Sequence, residues 1–436
     1  MNILQLIASL SLLVFIHELG HFAMARLFGA RVEKFYLFFN PWFSLFKCRS
    51  KRSGTVYGLG WVPLGGYCQI AGMVDEQLDT EGLKTEPKPD EFRSKKAWQR
   101  LLIMAGGVLM NLLLAFVIYV GIAFTWGDKH LDSKDVLGGW RFSELGQELG
   151  LRDGDIILEI DGKAGGNVLG ADFMTRLYNA HEVTVVRQAI GGDTLRIALP
   201  SDLMQRVLEQ GGSLASIRIP FVIDQVIGSN GSVLKAGQKV VGVGDRAAFS
   251  VEDVMQELQA HKGDKVMLSV VEYNEVKEVE VAVDANGRIG VTLIPPMMIY
   301  ETKEISYDLL EAIPVGFNKA VNTTMGYVSS LKYLFTKEGA KSVGGLGTMA
   351  SLFPKAFSWE SFWAVTGFLS IILAVMNLLP IPALDGGHII FLLVEMVTRR
   401  KLSDNVMMRI QTVGMLLLLL LMIYANGNDI YRYFFK

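Results

Sequence analysis

Apolar positions along this chain gather into four long runs separated by stretches of different character. The first covers residues 3–28, the second 100–125, the third begins near Trp363 and continues to about residue 398, and the fourth is a leucine-rich run at 405–425. A helix rising about 1.5 Å per residue needs about 20 apolar residues to cross a bilayer. The pattern therefore predicts four transmembrane helices. The third run is not uniform, because residues 377–387, NLLPIPALDGG, carry Pro380 and Pro382, which lack a donor and free the carbonyls before them. That predicts a helix break at membrane depth, which is tolerated only where protein buries it or it lines a cavity. Residues 305–335 repeat apolar positions at helical spacing but include Pro314, Lys319 and Asn322. They predict an amphipathic helix lying on the outer membrane face, not a fifth span.

From about Asp128 to Pro296 no run is long enough to span, and short alternating stretches with Gly turns predict an α+β region. This region repeats itself. GLRDGDIILEIDGK at 150–163 is echoed by LKAGQKVVGVGDR at 234–246, with Gly154 and Gly237 83 residues apart. Each copy continues into a helix candidate (171–180; 251–261) and two strands (183–187 and 194–199; 265–272 and 276–283). The glycine–aspartate turn, strand and following helix resemble PDZ domains, which frame a peptide groove. The first copy matches better. The second has Gln238 where Asp155 stands and Gly244-Asp245 where Asp161-Gly162 stands. Such modules bind peptides or gate access to a neighbouring site, and the sequence leaves both open.

Charge orients the spans. Arg26 and Arg31 follow the first run, Lys34, Lys47, Arg49, Lys51 and Arg52 lie in the loop after it, and Arg93, Lys95, Lys96 and Arg100 precede the second. Arg399, Arg400 and Lys401 close the third. Positive charge near span ends marks the cytoplasmic side, so both termini and the repeat region fall outside. The first run lacks the basic leader and small-residue cleavage site of a signal peptide. Within the inner loop, TVYGLGWVPLGGYCQIAG reads as a strand, a turn around Pro63–Gly66 and a return strand, a hairpin whose edge offers itself to an extended peptide. Residues 75–92 are polar and Pro-containing, hence loop.

Half of the 436 residues are hydrophobic, in keeping with an integral membrane protein too long for one domain. A net charge of −2 gives no reason to expect a nucleic-acid partner. Cys48 and Cys68 lack any metal-site spacing and do not form a disulfide framework.

The chemistry lies in the first run, where LLVFIHELGHFAMARLFG sets His17, Glu18 and His21 in an apolar surround. On a helix HExxH presents two imidazoles one turn apart with a glutamate beside them, the arrangement of a zinc site with its general base. Ionisable residues inside a membrane mark a functional site. Catalytic zinc takes three protein ligands, and Asp385 in the broken third run, entered from the same outer side, is the leading third candidate. His388 is a rival ligand or a group supporting the site. Asn377 can hold substrate backbone or an oxyanion, or satisfy the backbone freed by the break. Asn111, after the small residues Ala105, Gly106 and Gly107 of the second run, is either an interhelical hydrogen-bond partner or a polar group of the site.

HELGH in the first run, WVPLGGY in the inner loop, the PDZ-like region and NLLPIPALDGG in the third run together resemble the site-2 protease family of intramembrane zinc metalloproteases, of the bacterial regulator of sigma-E protease type. The resemblance covers nearly the whole chain. It implies a zinc cofactor held by His17, His21 and Asp385, Glu18 as general base, Asn377 in contact with substrate, and Val62, Pro63, Leu64, Gly65, Gly66 and Tyr67 as a membrane-associated hairpin that takes substrate as an added strand. Its implied partners are lipid, a transmembrane protein such as an anti-sigma factor, and an upstream site-1-type protease that cuts first outside; remnant signal peptides are a further substrate class. The implied setting is a Gram-negative inner membrane, with the repeat region periplasmic and the site towards the cytoplasmic half. The turn Gly344-Gly345-Leu346-Gly347 departs from the family, which often has proline after glycine there. The expected organisation is 1–126 with two spans, zinc motif and hairpin; 127–222 and 223–300 as PDZ-like modules; 301–358 as membrane-surface helices; and 359–436 with two spans and the third ligand. The rival reading is a catalytically silent membrane scaffold whose PDZ-like pair captures peptides.

Overall fold

The computed structural model describes residues 2–73, 86–136, 138–170, 172–187, 192–210, 213–272, 275–300, 302–336, 344–400 and 404–435. Most of the polar loop expected at 75–92, the start of the Gly-rich turn at 342–343 and Lys401 lie outside the described residues. The chain forms two units, Met1–Gly127 with Ser306–Lys436, and Asp128–Ile305.

In the first unit the helices are α1 (Asn2–Leu27), α2 (Ala97–Trp126), α3 (Leu309–Ser330), α4 (Leu346–Ser351), α5 (Trp359–Leu378), α6 (Asp385–Thr398) and α7 (Asp404–Phe435). Among the described residues, α1, α2, α5 and α7 are long and apolar enough to cross a membrane. Helix α2 is the hub, packed against α1, α3, α5 and α6. Its contact with α1 is made at glycine: a Cβ at Gly20 would stand 2.2 Å from the Gly106 carbonyl oxygen, and one at Gly106 2.6 Å from that of Gly20. Small residues let two helix backbones approach where neither has a hydrophobic driving force to gain in lipid. At the far end, Arg100 Nη2 meets Glu395 Oε1 at 2.5 Å, tying the start of α2 to the end of α6. The third run is two helices, with the break at residues 379–384. A Cβ at Gly386 would lie 2.2 Å from the Leu379 carbonyl oxygen, and one at Gly387 2.7 Å from that of Ile381. The two glycines after Asp385 thus let the broken segment fold back onto the first turn of α6.

Two elements of this unit are held by the spans. The helix at 309–330 is not among the membrane-length helices and packs against α2 and α5. Its Gly316 approaches the Val120 backbone, Phe317 meets Phe116, Tyr327 meets Phe368, and Leu331 just beyond it packs with Ala115, Ile371 and Val375. The glycine opens the close approach that an amphipathic reading does not foresee. The Gly-rich turn leads into α4, whose amino end is held by α7: Asp429 Oδ2 accepts from the Gly345 and Thr348 amides at 3.0 and 2.9 Å.

The loop between the first two spans forms a sheet of β1 (Val32–Phe39), β2 (Phe46–Arg49), β3 (Val56–Leu59) and β4 (Val62–Ile70), in the order β2-β3-β1-β4. The expected hairpin is therefore corrected. β3 and β4 do not pair with each other but flank β1, and Pro63–Gly66 lies within β4 while the chain turns at Gly60 and Trp61. A Cβ at Gly60 would come 2.2 Å from the Phe39 carbonyl oxygen, so that is the glycine the turn requires. Pro63 sits harmlessly because β4 is an edge strand, where a missing N–H costs no ladder bond. Pairing with β1 is irregular between Leu37 and Phe39, opposite 63–65.

The second unit bears out the repeat at residue level. Strands Ile156–Ile160 and Lys163–Ala164 recur 83 residues later as Lys239–Val243 and Arg246–Ala247. Helices Phe173–Tyr178 and Val251–Ala260 follow, then the antiparallel pairs Glu182–Arg187 with Asp193–Ala198 and Lys265–Glu272 with Glu275–Ala282. Both departures of the second copy have a physical account. Asp155 Oδ2 accepts the Arg152 amide at 2.9 Å, and Gln238 Oε1 accepts the equivalent Lys235 amide at 2.9 Å, so either side chain closes the turn. In the first two-residue hairpin Asp161 and Gly162 both have positive φ, 50° and 69°; in the second only Gly244 does, at 57°. The first follows a type I′ pattern and the second a type II′ pattern, which asks for glycine at the first position. Strand Phe221–Val226 pairs with Lys239–Val243 and so belongs wholly to the second copy, which moves the expected boundary at 222/223 back before Phe221. Lys303–Ile305 pairs with Asp128–His130, closing the unit beyond the expected end at 300.

Candidate metal centre

Three side chains from two helices converge on one point. Helix α1 contributes His17 and His21 from successive turns, and α6 contributes Asp385, its first residue. His17 Nε2 and His21 Nε2 are 3.2 Å apart, and Asp385 Oδ2 lies 3.2 Å and 3.4 Å from them. Asp385 Oδ2 is buried yet makes no hydrogen bond. Ligands bound at about 2.0–2.1 Å in a tetrahedron stand roughly 3.3 Å from one another. The triangle has those dimensions, and an orphaned carboxylate oxygen facing two imidazole nitrogens is the donor set that a cation satisfies. These are the only three His, Cys, Asp or Glu residues among the described residues that gather closely enough to hold a metal ion.

The rings rest on α2. His21 Nδ1 is 2.9 Å from the Ile103 carbonyl oxygen, which accepts its proton and leaves Nε2 free for a metal. A Cβ at Gly107 would fall 2.5 Å from His21 Nε2 and 2.6 Å from His17 Cε1, so this glycine is the floor beneath both rings. Asn111, one turn further along, approaches His17 Nδ1 at 3.2 Å, and Asn377, at the end of α5, approaches His17 Nε2 at 3.3 Å. Asn111 therefore belongs to the site, beyond any part it has in joining helices.

Glu18 points to the sheet. The Cys68 amide on β4 donates to its carboxylate. Gly66, on the same strand, is so close that a Cβ would meet the Tyr36 carbonyl oxygen at 2.7 Å, Val14 at 3.2 Å and Glu18 Cγ at 3.7 Å. A cavity of about 70 Å³ covers the centre, lined by the three candidate ligands, Glu18, Phe39, Tyr67, Cys68, His388 and Gln411 among others. Of the predicted hairpin residues, Gly66 and Tyr67 adjoin the centre, while Val62 pairs with Phe39 at the far end of the strand. His388 is not within the triangle; it is buried one turn along α6 and bonds the side chain of Gln411 on α7. Reading the sequence missed Gln411 and Cys68. The fourth run is leucine-rich, and the lone glutamine within it was the available signal.

A bundle of membrane-length helices with an HExxH helix, an acidic third donor from a broken helix and a sheet against the glutamate defines a membrane protein built around a metal centre of the protease kind. The chain belongs to peptidase family M50, whose profile matches residues 5–421. It is 28% identical to a protein of Xylella fastidiosa named "Putative zinc metalloprotease", over 98% of both chains. It is 29% identical to one of that name from Campylobacter jejuni, covering 97% of this chain and 91% of the other. A Ralstonia nicotianae protein, similarly named, is 27% identical over 100% of this chain and 99% of its own. The protein is accordingly a metalloprotease whose cofactor is zinc.

Proposed function

We propose that the protein is an intramembrane protease that hydrolyses peptide bonds within transmembrane segments, with His17, His21 and Asp385 as zinc ligands and Glu18 as general base. The carrying observation is the ligand triangle formed by the membrane-length helix α1 and the start of α6, with Glu18 beside it and the edge of β4 alongside. Zinc held there supplies Lewis acidity, lowering the pKa of water to about 7 and polarising the scissile carbonyl. Glu18, held by the Cys68 amide, takes the proton from water and delivers it to the leaving amine. Asn377 donates its side-chain N–H to the carbonyl oxygen as charge develops. A transmembrane helix keeps its peptide groups in internal hydrogen bonds, so cleavage requires local unwinding. β4 is the outermost strand of the described sheet, and its stretch Val62, Pro63, Leu64, Gly65 and Gly66 to Tyr67 offers replacement partners by strand addition. An enzyme reading accounts for Glu18 against that strand; a silent scaffold does not require it.

The same reading extends to partners and place. The substrates are membrane-anchored proteins of the anti-sigma-factor class, already cut outside by a site-1-type protease, and remnant signal peptides. The repeats act as PDZ-like modules that recognise or gate them. The protein sits in an inner membrane with the repeats and both termini extracytoplasmic and the centre towards the cytoplasmic half, as the basic loop supports.

The test is to incubate the purified protein with a single-span substrate and map the cut by mass spectrometry. The expected cut lies inside the apolar segment and disappears when a chelator strips the zinc. Cleavage only in the flanking soluble sequence would overturn the intramembrane reading. Leu64→Pro addresses the strand separately: it falls in the irregular part of the β1 pairing and removes one edge donor. Zinc content is expected to stay at the wild-type level while cleavage falls by about tenfold, the equivalent of roughly one hydrogen bond of about 1–1.5 kcal/mol. Unchanged cleavage counts against strand addition.

A further inference from the structure

We propose that Asn111 is a positioning residue for the metal centre, its side-chain oxygen accepting the Nδ1–H of His17 and so presenting Nε2 as a bare donor. The inference rests on reading His17 as a ligand. Asn111 is fully buried on α2, its side-chain nitrogen stands 3.2 Å from His17 Nδ1, and its side-chain oxygen is buried with no hydrogen-bond partner. The two ends of a carboxamide are told apart only through the bonds they make.

As drawn, an amide N–H faces Nδ1, which requires the His17 proton to be on Nε2. That proton would point into the triangle formed with His21 and Asp385, where a ligand must offer a lone pair. Turning the amide over brings the orphaned oxygen to Nδ1 and moves the ring proton there. The rotation pairs the oxygen and prepares the ligand, the amide nitrogen taking the position that the oxygen leaves.

The two histidines are then oriented by different means. His21 Nδ1 is bound by the Ile103 backbone carbonyl at 2.9 Å, which no substitution at 103 abolishes. His17 depends on one side chain. The backbone that carries it is tied to α5, since Ser370 Oγ donates to the Asn111 backbone carbonyl at 2.7 Å. Helix α2 thus supplies the acceptors for both rings from residues 103 and 111, two turns apart, with Gly107 midway under the ring edges.

The experiment uses the full-length protein in nanodiscs. Imidazole ¹⁵N NMR of the zinc-free wild type, with His17→Ala to assign the signal, is expected to show the His17 proton on Nδ1; a proton on Nε2 overturns the inference without any variant at 111. Chelator competition then gives zinc dissociation constants. Asn111→Leu is expected to weaken zinc binding by about 10–100-fold, the usual effect of losing a group that orients a ligand. Asn111→Asp, which keeps an acceptor in place, is expected to bind at least as tightly as wild type. Equal weakening of both variants, or wild-type affinity in Asn111→Leu, overturns the positioning role. If His17→Ala itself binds zinc as tightly as wild type, the ligand assignment fails first, and the proposal with it.

Discussion

Glu18→Gln is expected to retain one zinc per chain and to lose cleavage of a transmembrane substrate by about 100- to 10,000-fold, the usual contribution of a positioned general base. The carboxamide keeps the shape of the side chain and an oxygen for the Cys68 amide, but it cannot take a proton from water. Asp385→Asn is expected to behave differently. It replaces the orphaned Oδ2, which stands 3.2 Å and 3.4 Å from the two Nε2 atoms, by a neutral group, so zinc and cleavage fall together. Metal analysis beside a cleavage assay separates the two. A Glu18→Gln protein that still cleaves at the wild-type rate removes the general base from the mechanism; an Asp385→Asn protein that keeps its zinc removes the third ligand.

That these residues could be named before any fold was known follows from how local their signal is. HELGH needs only helical periodicity to bring His17 and His21 to one face, and Pro380 and Pro382, two residues apart, announce a break through the donors they lack. The 83-residue repeat was equally legible, because each turn is closed within a few residues by Asp155 or Gln238. Less legible was anything that depends on close approach. Gly60, Gly65 and Gly66 look alike in sequence, yet one makes the turn and the others let β4 lie against β1 and α1, so the turn was expected three residues too late. Gly316 is similar: in a helix with Pro314 and Lys319 it reads as weak propensity, and only the neighbouring Val120 backbone explains it. Gln411 was passed over because a single polar residue has no period, and its partner His388 is supplied by a helix 23 residues away in sequence.

Gly107→Ala is the substitution for which the structure expects the largest effect from the smallest change. The added methyl carbon would stand 2.5 Å from His21 Nε2, 2.6 Å from His17 Cε1 and 2.8 Å from His17 Nδ1. Rotating the rings away breaks the bonds that orient them, to Ile103 and Asn111. Moving the helices apart opens the Gly20–Gly106 contact and carries both donors away from Asp385. A metal site tolerates only about 0.2 Å of error in its ligand distances, and either escape exceeds that. Zinc affinity is therefore expected to fall by at least about 100-fold, beyond the loss of a single orienting group, and cleavage with it. Gly121→Ala on the same helix meets nothing within 4 Å and provides the control, matching the change in helix propensity without touching the centre. Wild-type zinc binding in Gly107→Ala would mean that α2 does not carry the histidines, and the close packing of α1 on α2 would lose its functional account.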